Sequence, residues 1–182
     1  MGQQYDGIDD KLHAWIAGQA MFFVASAPLA ADGHVNLSPK GMDGTFAVLG
    51  PRSVGYLDYF GSGIETIAHL RENGRIAIMF CAFDGAPKVL RLHGRGRAVR
   101  PGDADFAELR SSFAKARDKG VRSIITVDVK RISDSCGWAV PLMQHLADRD
   151  VLDLAQDRRD EGYFIEYAAT RNAQSIDGLP AI

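Results

Sequence analysis

The sequence predicts a mainly β domain, an antiparallel barrel with peripheral helices, followed by a helical C-terminal tail. Six or seven short apolar runs are separated by turn residues, and one helix is inserted between two of them. Because the strands do not alternate regularly with long helices, a doubly wound parallel sheet is disfavoured and a barrel is favoured. The length of 182 residues suits a single domain, 1–182, with a core over about 20–135 and a C-terminal extension over about 136–182.

The chain begins with a short helix and a hairpin. Apolar residues at helical spacing predict an amphipathic helix over 9–17, and the aromatic-rich run 20–27 predicts a buried strand. Turn residues around Gly33 then bring the chain back as a second strand over 34–37. This strand is expected to enter a Pro-Lys-Gly turn at 39–41.

The middle of the chain contains the remaining strands and one clear helix. Ser62 and Glu65 fit the capping box of a helix over 63–73. Gly94 and Gly96 predict a bulge or a barrel bend in the strand that contains them. The other predicted elements are strands over 45–49, 54–60, 75–83, 88–99 and 122–132, and helical segments over 103–117 and about 145–174.

Composition and charge argue against several classes of partner. Hydrophobic residues make up 46% and charged residues 24% of the chain, as in ordinary globular domains, and the formal net charge is −2. Without a net positive field, the chain is expected to bind neither nucleic acid nor an anionic membrane. The sequence has no 18-residue apolar run and no basic, apolar leader, so we expect a cytoplasmic protein with no metal site and with Cys81 and Cys136 as free thiols.

The stretch 36–41 is the first candidate for chemistry. Asn36, Ser38 and Lys40 bring an amide, a hydroxyl and an ammonium group to the end of a strand. An ammonium group suits a phosphate or an electron-rich ring edge, and Gly41 permits close approach of the backbone. A polar turn with a solvated lysine is the alternative interpretation.

The glycine-rich turn before the predicted helix is the second candidate. A strand ends at Tyr59 and Phe60, and the free N–H groups and dipole of the following helix start favour an anion. Ser62 and Thr66 add hydroxyl donors. A plain capping box is the alternative interpretation, and Glu65 places a like charge near any phosphate.

An arginine-rich strand is the third candidate. Period-2 alternation puts Arg91, His93, Arg95 and Arg97 on one strand face. This concentration of cationic groups suggests a surface that faces an anion. A solvated strand face, paired with acids from a neighbouring element, is the alternative.

The segment after the last strand contains Cys136 and Trp138. A reactive cysteine needs a cationic neighbour or a helix start, and neither is evident here, so Cys136 is interpreted as structural. Trp138 is expected in the core, at an interface or packed against a cofactor. The histidines show no metal-ligand spacing, and the sequence shows no convincing Ser-His-Asp set.

The chain resembles the pyridoxamine 5'-phosphate oxidase-related FMN-binding proteins through three ordered stretches, VNLSPKG, YLDYFGSGIETIAHLRENGRIAIMF and LRLHGRGR. The closing segments SCGWAVPL and NAQSIDGLP resemble one bacterial subgroup of that family, whose substrate is unknown. The resemblance covers about residues 20–180, and its specificity comes from the order and spacing of all five stretches.

The resemblance implies a six-stranded antiparallel split β-barrel that forms a homodimer and holds FMN at the subunit interface. It assigns no catalytic residue. The implied cofactor-binding residues are Asn36, Leu37, Ser38 and Pro39 along the flavin edge, Lys40, Tyr59 and Phe60 at strand ends, Ser62 and Thr66 at the phosphate, and also Arg91 and Trp138.

Some positions depart from the pattern of true pyridoxamine phosphate oxidases. Val35 and the pair Glu65-Thr66 stand where those enzymes have an arginine and an Arg-Lys pair, and no Arg-x-His motif follows residue 140. We therefore expect an FMN-dependent oxidoreductase that acts on another, unknown small molecule. A flavin, deazaflavin or haem carrier on the same fold and a cofactor-free structural dimer are the alternatives.

Overall fold

The computed structural model describes residues 2–182 as eight strands and five helices. The strands are β1 Gln4–Tyr5, β2 Met21–Ser26, β3 Asn36–Gly41, β4 Phe46–Gly50, β5 Ser53–Tyr59, β6 Arg75–Cys81, β7 Val89–Val99 and β8 Val121–Ser135. The helices are α1 Asp10–Ala17, α2 Glu65–Glu72, α3 Phe106–Arg110, α4 Val151–Asp157 and α5 Glu161–Thr170.

The strands form one antiparallel sheet in the order β3-β2-β6-β7-β8-β5-β4, with β1 paired to β8. The sheet curls into a half-barrel, and β3 and β4 lie at the two ends of the strand order. The prediction of a mainly β split barrel with a helical C-terminus is confirmed. The resemblance implied six strands, whereas the main path has seven and β1 adds an eighth.

The core lies inside the curl of the sheet, where alternate residues of each strand turn inward. Four aromatic rings meet there, from Phe22, Phe46, Tyr56 and Phe80, with neighbouring ring centroids 5.0 to 5.6 Å apart. Each such pair adds about 0.5–1.5 kcal/mol to what the burial of apolar area contributes. The apolar face of α2 packs against the same core, so the start of this helix is held at a fixed place beside the sheet.

The predicted irregularity occurs at Gly94 of β7, but the extra residue of the bulge lies in the partner strand β8. His93 pairs with Arg131 of β8, but Gly94 pairs with Val129, so the register shifts by one residue between them. A Cβ atom on Gly94 would lie 2.2 Å from the carbonyl oxygen of Asp128. Only glycine allows the two backbones to approach this closely.

The second strand of the hairpin is longer than predicted. It runs over Asn36–Gly41 and includes the residues that were expected to form a Pro-Lys-Gly turn, so that prediction is wrong. The strand β3 lies at one end of the sheet and pairs with β2 alone within residues 2–182. Pro39 is tolerated there because an edge strand has backbone positions that need no donor.

The capping box predicted for α2 is also wrong. The residue before the helix is Ile64, and no side chain caps the helix start within the part of the chain that the structure describes. Ile64 is buried, whereas Ser62 is exposed. Burial of the isoleucine therefore fixes where the helix begins, and the serine is left outside it.

The later helices are shorter than predicted. Instead of a helix over 103–117, α3 ends at Arg110, whose guanidinium group donates to the carbonyl oxygens of Phe113 and Lys115. Residues 111–115 therefore wrap around the Arg110 side chain and do not continue the helix. The tail predicted over about 145–174 contains only α4 and α5. Across residues 2–182, every helix is too short or too polar to cross a bilayer.

Candidate functional site

A polar cavity of about 150 Å³ lies between β3, the end of β5 and the start of α2. It is small, and charged and hydroxyl-bearing side chains predominate in its lining. The lining residues are Asn36, Ser38, Lys40, Asp58, Tyr59, Gly61, Gly63, Glu65, Thr66 and Arg122.

The pleat of β3 turns its polar residues toward this cavity. Lys40 pairs with Phe22 of β2, and Ser38 pairs with Val24, both of which belong to the buried core. Directly paired residues of an antiparallel sheet share one face, so Ser38 and Lys40 point to the inner side. Asn36 follows the same alternation. Three polar side chains therefore project inward from an edge strand.

An amide connects this strand to the helix. The Nδ2 atom of Asn36 donates to Ser26 Oγ at 3.2 Å and to Thr66 Oγ1 at 3.0 Å. Its Oδ1 atom accepts a hydrogen bond from Ser38 Oγ at 2.9 Å. These three bonds fix the orientation of the amide and hold the hydroxyl groups of Ser38 and Thr66 in the cavity lining.

A buried histidine lies behind this network. His69 Nδ1 is 3.0 Å from Ser26 Oγ, and the imidazole is fully buried. Burial lowers the pKa of His69, so the ring is neutral near pH 7. Its Nε2 atom has no hydrogen-bond partner within residues 2–182. The histidine therefore holds the Ser26 hydroxyl group in place through Nδ1 alone.

Charged groups form the other wall of the cavity. The carboxylate of Asp58 accepts a hydrogen bond from Arg122 Nε at 2.9 Å, and it lies 2.8 Å from Arg122 Nη2 and 3.2 Å from Lys40 Nζ. Burial by itself would raise the pKa of Asp58, but Arg122 and Lys40 outweigh it and hold this pKa below its usual value. Asp58 is therefore ionised and positions two cations. Arg122 also donates to Asn172 Oδ1 at 2.8 Å, which ties the C-terminal extension to the cavity.

A bulge in β8 places Arg122 in this wall. Asp58 of β5 pairs with Ser123, and Tyr59 pairs with Val121, so Arg122 has no partner across the strand pair. A bulge turns a side chain away from regular alternation. Arg122 can therefore reach Asp58 from within an otherwise apolar stretch.

The start of α2 offers backbone N–H groups to the cavity. The N-cap Ile64 has no capping side chain, and the first backbone bond of the helix runs from Ala68 N–H to the Ile64 carbonyl. An uncapped helix start favours an anion. The Glu65 carboxylate folds back over the turn, with Oε2 3.0 Å from where a Cβ atom on Gly63 would lie. The cavity therefore contains two cations, Lys40 and Arg122, and two carboxylates.

The cavity brings together some of the residues predicted for the cofactor but not others. Its lining includes Asn36, Ser38, Lys40, Tyr59 and Thr66. The predicted residues outside the lining are Leu37, Pro39, Phe60, Ser62, Arg91 and Trp138.

The residues outside the lining have different surroundings. Pro39 and Arg91 lie in one cross-strand row on the outer face of the sheet. Leu37 shares that face. Phe60 packs against the aromatic side chains of α5, and Trp138 is 83% exposed.

Three polar residues of this region were not predicted from the sequence: Asp58, Arg122 and Asn172. Asp58 is the single charge of β5, and Arg122 stands at the mostly apolar start of β8, so two opposite charges in such surroundings are a signal for a buried pair. No local pattern marks Asn172, because it reaches the site only through the packing of the C-terminal extension.

A family model and a curated relative match most of this chain. The model for pyridoxamine 5'-phosphate oxidase matches residues 8–136. A protein of Aspergillus flavus, the pyridoxamine 5'-phosphate oxidase family protein ustO, is 38% identical over 192 residues, which cover 98% of this chain and 77% of that protein.

Solved structures with low sequence identity share the fold. HupZ of Group A Streptococcus aligns with a TM-score of 0.56 and 21% identity, over 70% of this chain and 99% of that chain. A FAD-binding protein from Mesorhizobium loti aligns with a TM-score of 0.50 and 11% identity, over 74% and 96% of the two chains. These likenesses show the fold alone. The family model and the 38% identical relative together show that the chain belongs to the pyridoxamine 5'-phosphate oxidase family.

Proposed function

We propose that this chain is a flavin-dependent oxidoreductase whose cofactor is FMN. The observation that supports this most strongly is the polar cavity at the uncapped start of α2. The hydroxyl group of Thr66, which accepts from Asn36 and keeps its own hydrogen to donate, the ammonium group of Lys40 and the first backbone N–H groups of the helix converge there. This is a donor set for a phosphate ester. Membership of the family is consistent with the same cofactor.

The residues fit the phosphate end of FMN by the chemistry of their donors. Lys40 and Arg122 supply positive charge, and the buried Asp58 holds both in place. Glu65 is the one lining carboxylate without a cationic partner within residues 2–182, and its charge opposes a phosphate. Because Glu65 is only half-buried beside an exposed turn, its side chain has room to leave the phosphate position.

A bound flavin would supply the hydride or electron transfer, and the chain would orient and tune it. Asn36 holds the hydroxyl groups of Ser38 and Thr66 in one arrangement through its three hydrogen bonds. Asp58 keeps Lys40 at the cavity wall. No residue is assigned as a general base, and the substrate is a small molecule whose chemistry the cavity does not define.

An absorbance spectrum of the purified protein, followed by identification of the molecule that denaturation releases, tests this proposal. A flavin spectrum with released FMN is the expected result. A haem or deazaflavin spectrum would replace the cofactor and keep the fold. A colourless protein that takes up no added FMN would overturn the oxidoreductase assignment. Bound FMN without reduction by NAD(P)H or by any substrate tested would favour a carrier.

The predicted homodimer also belongs to the proposal. Support comes from the outer face of the sheet, on which Leu37, Pro39 and Arg91 lie. The side chain of Leu37 is 64% exposed there. Trp138 and Leu142, which follow β8, are also large exposed apolar side chains. Exposed apolar side chains that form one patch are typical of a surface that another chain covers, and we propose that these side chains belong to such a patch.

A second copy on this face would bring these outer residues toward a flavin at the subunit interface. Sedimentation of the purified chain should therefore give a dimer. Leu37→Arg should shift it toward the monomer, because a buried arginine without a partner is costly. Leu29→Arg, at an exposed leucine in the preceding loop, is the matched control. A monomeric parent chain would contradict this part of the proposal. We also place the protein in the cytoplasm, in keeping with the free thiols of Cys81 and Cys136.

A further inference from the structure

A second and larger cleft lies between the barrel and the C-terminal extension. Its volume is about 590 Å³, within the range typical of small-molecule sites. The barrel contributes Phe60, Ile67 and Val121 to its lining, and α5 contributes Phe164 and Ala168. The family model ends at residue 136, so one wall of this cleft comes from outside the matched region.

Specific contacts hold this wall against the barrel. Gln156 of α4 is buried and donates from Nε2 to the carbonyl oxygen of Phe60 at 3.0 Å. Gly120 has a φ angle of +81°, and a Cβ atom there would lie 2.6 Å from the Gln156 side chain. The ring centroids of Phe60 and Phe164 are 5.1 Å apart. The cleft is therefore a formed feature of the fold, with an aromatic and aliphatic floor.

Three cations at the cleft have no carboxylate partner within residues 2–182: Arg100, Lys119 and Arg159. Arg100 and Lys119 donate to backbone carbonyl oxygens, and the guanidinium carbon of Arg159 lies 4.2 Å from the ring centroid of Tyr163.

The carboxylates that line the cleft are mostly engaged. Asp118 pairs with Arg110, and Asp160 caps α5 by accepting from the backbone N–H of Tyr163. Glu161 is the remaining lining carboxylate. The cleft therefore combines an apolar floor with cations that are free to pair with an anionic ligand.

We infer that this cleft is a second ligand site, which binds an amphipathic carboxylic acid. The aliphatic or aromatic body of the acid packs on Phe60 and Phe164, and its carboxylate pairs with Arg159. Arg122 lies in the lining of both this cleft and the polar cavity, so the two sites are neighbours. The inference rests on the contacts between side chains of this chain that build the cleft, and not on the proposed flavin.

Calorimetric titration of the full chain with octanoate tests this inference, with octylammonium as the ligand of opposite charge. Octanoate should bind saturably, with one molecule per chain, and octylammonium should bind at least tenfold more weakly. Absence of saturable octanoate binding would overturn the inference, as would equal binding of the two ligands.

Two pairs of variants locate the binding. Ala168→Phe fills the cleft from α5, whereas Ala169→Phe changes the adjacent exposed residue, which does not line it. Arg159→Gln removes a cation of the cleft, and Arg158→Gln removes its exposed neighbour, which also lies outside the lining. The first member of each pair should weaken octanoate binding about tenfold or more, and the second should leave it unchanged.

Equal effects within each pair would place the octanoate elsewhere and overturn the inference. Arg159→Gln keeps the test decisive if Ala168→Phe fails to fold, because Arg159 is on the surface. Sedimentation of the same variants distinguishes a covered interface from a ligand site. A change in oligomeric state with Arg159→Gln would show that a second copy covers the cleft, and this would also overturn the inference.

Discussion

The guanidinium group of Arg122 lies 2.8 Å from the carboxylate of Asp58, and both side chains are buried between β8 and β5. Removing charges from water costs several kcal/mol per ion, so a buried pair is seldom present for stability alone. Here the pair stands in the wall of the polar cavity, with Lys40 as a third member. The pair therefore sets the charges at the cavity wall, and it also links β5 to β8.

Asp58→Asn should lower the free energy of unfolding by about 3–5 kcal/mol, because it leaves a buried guanidinium group without a countercharge. Urea denaturation measures the loss. Asp128→Asn is the matched control, since Asp128 pairs with Lys130 on the surface and such pairs contribute about 0–1 kcal/mol. Equal losses in the two variants would contradict the structural importance of the pair.

The same pair predicts a pH dependence. The pKa of Asp58 is lower in the folded chain than its ordinary value, so its stabilising contribution is complete above that ordinary value. The contribution should be lost as the pH falls below about 4, through the lowered folded-state pKa. Below that pH the stability difference between the parent chain and Asp58→Asn should therefore shrink. A difference that stays constant down to the acid transition would argue against an ionised Asp58.

Lys40→Ala and Thr66→Val should each weaken FMN binding about tenfold or more, since a hydrogen bond to a charged group is worth about 1.5–3 kcal/mol. Titration of the apoprotein by flavin fluorescence measures the dissociation constant. Thr66→Ser keeps the hydroxyl group and should retain affinity. Unchanged affinity in both Lys40→Ala and Thr66→Val would show that the phosphate lies outside this cavity.

Glu65→Gln should strengthen FMN binding about fivefold, because a like charge near 4 Å in water costs about 1 kcal/mol. The effect should decrease at high salt, which screens charges near the surface. Glu72→Gln, at the opposite end of α2, is the control and should change little. Weaker binding in Glu65→Gln would mean that this carboxylate accepts a hydrogen bond from the cofactor.

His34 and Asp177 join the first hairpin to the C-terminal segment, with Nδ1 and Oδ1 2.6 Å apart. The hydrogen bond to Asp177 raises the pKa of His34, and the same bond lowers the pKa of Asp177. Both groups are therefore charged between about pH 4 and pH 6.5. The contribution of His34 is complete below its ordinary pKa and should be lost as the pH rises through the raised folded value.

Amide hydrogen exchange over residues 174–181 measures this contact. After correction for intrinsic rates, protection should be highest between about pH 4 and pH 6.5 and should fall on either side. His34→Gln should remove the loss on the alkaline side. His13→Gln, at an exposed histidine of α1, is the control. A protection profile of the parent chain that does not vary with pH would contradict the ion pair.

Gly94→Ala should destabilise the chain by about 1–3 kcal/mol, because the new Cβ atom would force the β7 and β8 backbones apart. Thermal unfolding measures the effect. Gly50→Ala is the control, since the nearest atom to a Cβ there is 4.0 Å away. Similar melting temperatures for the two variants would contradict the close approach at the bulge.

Alternation and turn chemistry were enough to predict the sheet, because most strands of this fold are half-buried and show a period of two. Gly94 and Gly96 within a strand pattern predicted a bulge or a barrel bend, and the register of β7 against β8 does shift at Gly94. The start of α2 could not be predicted from local signals, because the burial of Ile64 overrides the capping pattern of Ser62 and Glu65. Tertiary packing decided this boundary.

The candidate site was predicted in part. Residues such as Asn36 and Lys40, which follow the alternation of an edge strand, were found from the sequence. Arg122 was missed because it reaches the cavity by breaking that alternation at a bulge. Asn172 was missed because 50 residues of chain separate it from its partner Arg122. Contacts of this kind depend on register and docking, which a single sequence does not reveal.

The two bulges of β8 determine how this strand would respond to a change in length. Lys130 is the extra residue of the bulge opposite His93 and Gly94 of β7, between Val129 and Arg131. Deleting it would leave Val129, Arg131 and Ile132 alternating regularly between the inner and outer faces. A one-residue deletion at Thr126 would instead turn Val127 and Val129 out of the core. The length of β8 is therefore adjustable at its bulges and fixed between them.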